Sequence, residues 1–282
     1  MPKPSGKTAL ITGLTDGVGR VVAQRLGASG VRILVHGRDR ARGDDVVGAI
    51  KAAGGSAEFL QADLSALAEV KRLAGAVQQT TNRLNILINN AGIGRGTSDT
   101  ARETSADGHE LRFAVNYLAG FLLTYLLLPL LKQSAPARIV NVSSLGQQAI
   151  DFDDVMLTRD YSGMRAYRQS KLAQIMFTIE LAHELAGTGV TVDALHPATF
   201  MNTKMVREFG TPRSTVEEGA DAILKLAASA EMEGRSGLYF NGKNEAQADA
   251  QAYDPEARRR LKTLSLELAG LSAKTAGRHN SA

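Results

Sequence analysis

The chain has 282 residues, 44% of them hydrophobic and 22% charged, with a formal net charge of +4, a balance that builds a packed core and excludes wholesale disorder. Glycine occurs 28 times and aromatics make up only 5%, while tryptophan and cysteine are absent. The missing cysteine rules out disulfides, thiolate nucleophiles and every cysteine-based zinc or iron–sulfur site, and a reducing, cytoplasmic setting is expected.

The amino-terminal residues 1–7 carry no apolar signal core. Residues 7–12 (KTALIT) read as a buried strand, followed by Gly13-Leu14-Thr15-Asp16-Gly17-Val18-Gly19 and then by a helix over 20–28. A second strand spans 31–36 and ends in His36-Gly37-Arg38-Asp39, and a helix over 41–53 stops at Gly54-Gly55. The unit repeats as strand 58–62, helix 67–80 and strand 84–89, the last running into Asn90-Ala91-Gly92. A long helix over 108–132, a strand over 138–143, a helix over 164–185 and a strand over 190–195 follow. Helix 215–228 and strand 237–240 end the alternation, and a last helix spans 255–271 before a frayed end at 272–282.

Strands alternating with helices through short connections predict an α/β fold, a single Rossmann-type doubly wound sheet of about seven parallel strands with helices on both faces. No linker or repeat divides the chain. One catalytic domain over 1–282 is therefore expected, with a core over 5–245 and a helical extension over 246–282. The longest apolar run, 118–131, is interrupted by Gly120 and Pro129 and falls short of the roughly 20 residues that cross a bilayer. It reads as a core or interface helix, with no membrane span. The triplet Arg258-Arg259-Arg260 lies in a helical pattern with Leu261, Leu264 and Leu268, so a solvated face is expected there and no nucleic-acid partner.

A glycine turn between the first strand and first helix is where such a sheet places a pyrophosphate, against the unpaired N–H groups of the helix start. The spacing Gly13, Gly17, Gly19 departs from the general dinucleotide fingerprint but sits in the right context. After the second strand, Gly37 leaves room and Arg38 offers a donor fork for a 2′-phosphate, which favours NADP(H) over NAD(H). Asp39 pulls the other way, and a surface Arg–Asp pair is the alternative reading.

Tyr167 and Lys171 stand four residues apart on one helix face. A nearby cation favours the phenolate, and such a tyrosine can pass the proton of a carbonyl/alcohol pair. Ser143-Ser144 closes the fifth strand at its carboxyl end, where open parallel sheets bind ligands. Asn116 lies in an apolar helical segment and needs a hydrogen-bonding partner. The five histidines, His36, His109, His183, His196 and His279, are dispersed, and His183-Glu184 lacks a second histidine, so no metal site is expected and surface or strand-end roles are assigned to them. Asn141-Val142-Ser143 matches a glycosylation acceptor but falls in a core strand.

Taken in order, Thr12-Gly13-xxx-Gly17-x-Gly19, Asp63-Leu64, Asn89-Asn90-Ala91-Gly92, Asn116, Ser144, Tyr167-xxx-Lys171 and His196-Pro197 resemble the short-chain dehydrogenase/reductase family over residues 5–245. The stretches 115–124, 142–144 and 170–173, with the long interval between Ser144 and Tyr167, look most like its retinol dehydrogenase-like branch. The resemblance implies a carbonyl/alcohol oxidoreductase. Tyr167 would be general acid/base, and Lys171 would lower its pKa and hold the nicotinamide ribose. Ser144 rather than Ser143 would polarise the substrate oxygen, and Asn116 would hold a water linking Lys171 to solvent. Gly13, Thr15, Asp16, Gly17, Val18 and Gly19 would cradle the phosphates, with Arg38 at the adenosine. Asp63 and Leu64 would contact the adenine, Asn90, Ala91 and Gly92 would line the cofactor, and Pro197 and Thr199 would flank the carboxamide. Pro197-Ala198 replaces the usual Pro-Gly, and the following threonine is displaced to Thr203.

The expected substrate is a small-molecule alcohol, ketone or aldehyde of apolar character. A lid over 198–215 with Phe200, Met201, Met205, Val206 and Phe209 would form one wall, or else pack on the sheet as a helix. The segment 145–164, with Phe152, Val155, Met156 and Leu157, would form the other. Helices 108–132 and 164–185 would form the seam of a homodimer or homotetramer. The rival readings are a dinucleotide sensor or scaffold without turnover, and an epimerase or dehydratase on the same fold.

Overall fold

The computed structural model describes residues 6–14, 17–96, 98–207 and 210–271. The strands β1 (Thr8–Ile11), β2 (Arg32–Gly37), β3 (Ala57–Gln61), β4 (Ile86–Asn89), β5 (Ala137–Val142), β6 (Val190–His196) and β7 (Tyr239–Asn241) form a parallel sheet. An eighth strand, β8 (Asn244–Glu245), pairs antiparallel with β7, so the order is β3-β2-β1-β4-β5-β6-β7-β8. Sequence reading counts seven because β8 is only two residues long and follows Asn241 through Gly242 and Lys243, with Gly242 at φ +60°. The chain reverses direction of growth between β1 and β4, the switch point at which such sheets bind ligands.

The strands are apolar almost throughout because both faces of the sheet are covered. Helices α1 (Gly17–Ala28), α2 (Arg40–Ala52) and, later, α7 (Val216–Ala228) bury Val22, Val46 and Ile223 on one face. On the other face α3 (Leu67–Thr80), α4 (Ala119–Gln133) and α5 (Gly163–Glu184) bury Leu73, Leu122 and Leu172. A short α6 (Lys204–Arg207) precedes α7. Caps set several starts. Asp39 accepts from the Arg42 backbone N–H at 3.1 Å, Ser162 from that of Arg165 at 3.3 Å, and Thr215 forms a reciprocal box with Glu218.

The helix expected from residue 108 starts later. Ser105 N–H bonds His109 O at 2.8 Å and Leu111 N–H bonds Glu103 O at 3.0 Å across a turn with Gly108 at φ +81°. The helix then opens as a π turn, Phe113–Leu118, and continues as α4. The span Phe113–Gln133 is long and apolar enough to cross a membrane by composition alone, and most of it is buried inside the fold.

A last helix, α8 (Pro255–Leu268), packs on α5 through Leu261, which is 1% exposed. Such a burial contributes about 2 kcal/mol. Tyr117 and Ser265 share a hydrogen bond of 2.7 Å. Arg258 is 7% exposed, bonds Ala252 O at 3.0 Å and pairs with Glu180 at 3.4 Å, so the expected solvated face holds for Arg259 and Arg260 but not for Arg258. The flank of α5 expected to form an oligomer seam is thus covered by the chain's own C-terminal helix. The expected frayed end at 272–282 lies outside the described residues.

Candidate active site

The glycine turn follows β1 at the switch point. Gly13 stands at φ +69°, and a Cβ there would meet Ala91 Cα at 2.7 Å. A Cβ on Gly19 would meet Asn90 Nδ2 at 2.7 Å and Gly13 O at 3.1 Å. Only glycine fits either position. Asn90 holds the turn from the end of β4, its Nδ2 donating to Thr12 O at 2.8 Å and Gly13 O at 3.1 Å. Thr12 Oγ1 accepts from the N–H groups of Asn90 and Ala91, each at 3.0 Å. The Val18 side chain is buried in the core, leaving its backbone to the turn. Thr15 and Asp16 lie outside the described residues.

On the adenosine side, Arg38 is exposed and its guanidinium makes no hydrogen bond or ion pair among the described residues, whereas the Asp39 carboxylate is used in capping α2. Asp63 Oδ1 accepts from Ser65 N–H at 3.0 Å, and the Leu64 side chain is buried in the core. His36 is 2% exposed. Its Nδ1 accepts from Gly13 N–H at 3.3 Å and its Nε2 lies 3.2 Å from Ala62 O, so the neutral Nε2–H tautomer bridges the glycine turn and the end of β3. Burial pushes its pKa down to about 4. The strand-end role expected of a histidine is filled here at depth rather than at the surface.

Ser144, Tyr167, Lys171 and Asn116 converge beyond β5. Tyr167 is half-buried and its ring borders the Ser144 hydroxyl: a Cβ on Gly146 would stand 3.5 Å from both Tyr167 Cε1 and Ser144 Oγ, and Ser144 Oγ accepts from Gly146 N–H at 3.0 Å. Burial raises the Tyr167 pKa, and the neighbouring Ser144 hydroxyl opposes that rise. Lys171 Nζ lies 5.9 Å from the Tyr167 ring centroid and donates to Val142 O and Gln174 Oε1, each at 2.9 Å. Burial pushes its pKa down to about 7, because two neutral acceptors replace water incompletely. Ser143 turns away, its Oγ donating to Lys171 O at 2.7 Å. Asn116, in the π turn, accepts from Ile93 N–H at 2.7 Å and donates to Ile93 O at 3.1 Å and Ser170 Oγ at 2.9 Å. A Cβ on Gly92 would stand 3.3 Å from Asn116 Oδ1 and 3.5 Å from Lys171 Nζ, so the backbone there borders both.

After β6, Pro197 is buried and Thr199 exposed, with Thr199 Oγ1 3.1 Å from His196 Nε2. The His196 pKa is pushed down to about 4, chiefly by burial and then by Lys171. Thr203 Cγ2 would lie 3.3 Å from a Cβ on Gly17, which brings this loop against the glycine turn. Met201 packs over Gly219 and Val18, while Phe200 is 47% exposed under the Arg213 guanidinium. The Met205 side chain and Phe209 lie outside the described residues. The other expected wall differs: Phe152, Val155 and Met156 pack against the core and Leu157 is buried, because the segment docks onto neighbouring helices. Leu145, 46% exposed, is the large apolar side chain presented next to Ser144.

The glycine cradle and the start of α1 behind it fit a dinucleotide laid along the strand ends. That arrangement on an open parallel sheet defines the class of doubly wound nucleotide-binding proteins. Residues 7–214 match the short chain dehydrogenase family. Human retinol dehydrogenase 13 is 39% identical over 290 residues, covering 95% of this chain and 86% of the human protein. Among solved structures, an uncharacterised protein from Mycobacterium paratuberculosis superposes with a TM-score of 0.78 at 27% identity over 96% of both chains. Pseudomonas aeruginosa RhlG, solved as an active-site complex with NADP, gives 0.69 at 30% identity over 84% of this chain and 94% of its own. The chain belongs to the short-chain dehydrogenase/reductase family, on its retinol dehydrogenase-like branch, and so to oxidoreductases that use a nicotinamide dinucleotide on alcohols and carbonyls.

Proposed function

We propose that the protein interconverts an apolar alcohol and its ketone or aldehyde with NADP(H), with Tyr167 as proton donor or acceptor. The observation that carries this reading is the Ser144 hydroxyl beside the Tyr167 ring, with the buried Lys171 Nζ 5.9 Å from the centroid of the same ring. When bound, the dinucleotide supplies or receives the hydride. Ser144 Oγ holds the reacting oxygen beside the phenol, and the Lys171 charge favours the phenolate. Asn116 keeps Lys171 in reach of solvent through a water, and Asn90, Ala91, Gly92, Pro197 and Thr199 line the nicotinamide end. Val18 and Gly19 present backbone N–H groups to the phosphates at the start of α1, Gly13 and Gly17 leave the phosphates room, and Asp63 and Leu64 stand at the adenine.

NADP(H) preference is supported by the free Arg38 fork and by Asp39 being spent on the α2 cap. Apolar selectivity is supported by Leu145 and Phe200, both exposed beside the strand ends. The cysteine-free composition suits the cytoplasm. Assembly as a homodimer or homotetramer would use the parts of α4 and α5 that α8 leaves uncovered. Tyr167→Phe tests the reaction: consumption of NADPH with a ketone and aldehyde panel should fall by about 10²- to 10⁴-fold, with cofactor affinity retained. Undiminished turnover in that variant would sink the assignment. A wild-type protein that binds NADPH without consuming it would point to a sensor instead.

A further inference from the structure

The loop after β5 carries Ser144 with no regular structure to hold it. Its carbonyls and amides are instead tied down by side chains. Ser144 O accepts from Gln147 Nε2 at 2.9 Å and from Tyr239 OH at 3.1 Å. The other end of the Gln147 amide, Oε1, accepts from Asp249 N–H at 2.8 Å. Two residues on, Gln251 grips the Ile150 peptide from both sides, its Oε1 accepting from Ile150 N–H at 2.6 Å and its Nε2 donating to Ile150 O at 3.1 Å. Residues 249–251 lie beyond the stretch that matches the family, 7–214. They are anchored in turn. Asp249 caps the turn by accepting from Gln251 N–H at 3.0 Å, Ala252 is fully buried, and Arg258 holds Ala252 O.

We propose that this C-terminal extension is part of the reaction machinery: Gln147 and Gln251 are positioning residues that lock the Ser144 loop so that Ser144 Oγ meets the Tyr167 hydroxyl. The inference rests on the oxidoreductase reading above. A primary amide is suited to the task because it donates and accepts at once, which lets one side chain bridge the Ser144 carbonyl and the Asp249 amide without a buried charge. Release of either clamp frees rotation at Ser144 and moves Oγ relative to the phenol. Misplacements of this kind cost about ten- to a hundredfold in turnover.

Gln147→Met and Gln251→Met keep side-chain length while removing the hydrogen bonds. Both residues are only partly buried, so both variants should fold. The expected result is kcat lower by about tenfold or more at temperatures where the protein is fully folded, with the dissociation constant for NADPH unchanged. In the alcohol-oxidising direction the acid limb of the kcat profile should move to higher pH, because the Ser144 hydroxyl, whose proximity lowers the Tyr167 pKa, is displaced from the ring. Of the other titratable groups facing Tyr167, Lys171 on its own helix is untouched in both variants, whereas Tyr239 on β7 shares the Ser144 carbonyl with Gln147, so the shift is read in Gln251→Met, which leaves both in place. Hydrogen exchange of the Ile150 amide should quicken in Gln251→Met. A merely structural clamp would lower the unfolding temperature and leave kcat and its pH profile in place, and kcat within about twofold of wild type in both folded variants would overturn the proposal. Should either methionine variant fail to fold, Gln147→Glu carries the same test, since it keeps an acceptor for Asp249 N–H and removes the donor to Ser144 O. Tyr167→Phe measured alongside separates the two ideas. An inactive Tyr167→Phe with unimpaired glutamine variants removes the clamp alone, whereas an active Tyr167→Phe removes the reaction on which it rests.

Discussion

Replacing Gly13 by alanine is the most local challenge to the proposed cofactor cradle, and its cost can be worked from the geometry. At φ +69° an L side chain costs about 1–2 kcal/mol. The new methyl would also stand 2.7 Å from Ala91 Cα, 3.1 Å from its Cβ and 3.2 Å from its N. Ala91 cannot step back freely, because its N–H and that of Asn90 are both tied to Thr12 Oγ1. Overpacking of this kind adds about 1–3 kcal/mol, so the total is about 2–5 kcal/mol and the unfolding temperature should drop on the order of 10 °C. Gly48 supplies the contrast. It lies within α2, and nothing stands within 4 Å of a Cβ there, so Gly48→Ala should stabilise by about 0.5–1 kcal/mol through the unfolded chain. Calorimetric unfolding of both variants, followed by NADPH titration of Gly13→Ala, reads the difference. A Gly13→Ala protein as stable as Gly48→Ala, with undiminished NADPH affinity, would refute the close approach of turn and β4 end.

Two further expectations concern charge. Arg38→Leu should weaken NADPH binding about ten- to a hundredfold, the worth of hydrogen bonds to a charged group, and leave NADH binding unchanged; equal loss for both cofactors in parallel titrations would remove Arg38 from the 2′-phosphate. His36 predicts an acid limb of stability. Its pKa is lowered from 6.5 to about 4 in the folded chain, so between those values the unfolded chain binds more protons, and stability is lost as pH falls from 6.5 towards 4. The contribution is on the order of 3 kcal/mol. Urea unfolding across that window should show a shallower acid loss in His36→Asn, and identical slopes would mean that the imidazole is not held neutral at this depth.

What could be read from the sequence, and what could not, divides by the distance over which the information is carried. Alternating apolar segments define the sheet and both helical layers, and Tyr167 with Lys171 is legible because a four-residue spacing fixes one helix face. Ser144 could be separated from Ser143 only through the resemblance. In the structure the reason is the alternation along the strand end, which sends Ser143 Oγ to the Lys171 carbonyl and Ser144 Oγ to the side of the Tyr167 ring. Arg258 left a signal that was open to reading: it shares a helical stripe with Leu261 and Ser265, all three buried, while Arg259 and Arg260 face outward.

His36 and the two glutamines left no such signal. A surface or strand-end role is what the sequence assigns to His36, but its partners Gly13 and Ala62 become neighbours only because β2 lies between β1 and β3. Gln147 and Gln251 reach across about a hundred residues of chain, and a glutamine in a polar loop has no periodicity to betray it. In each case the reactive group is chemically conspicuous while the neutral group that orients it is not. Titratable side chains announce themselves by type; an amide or neutral imidazole acquires its role only from the two partners it joins, and here those partners come from separate strands or from the far end of the chain.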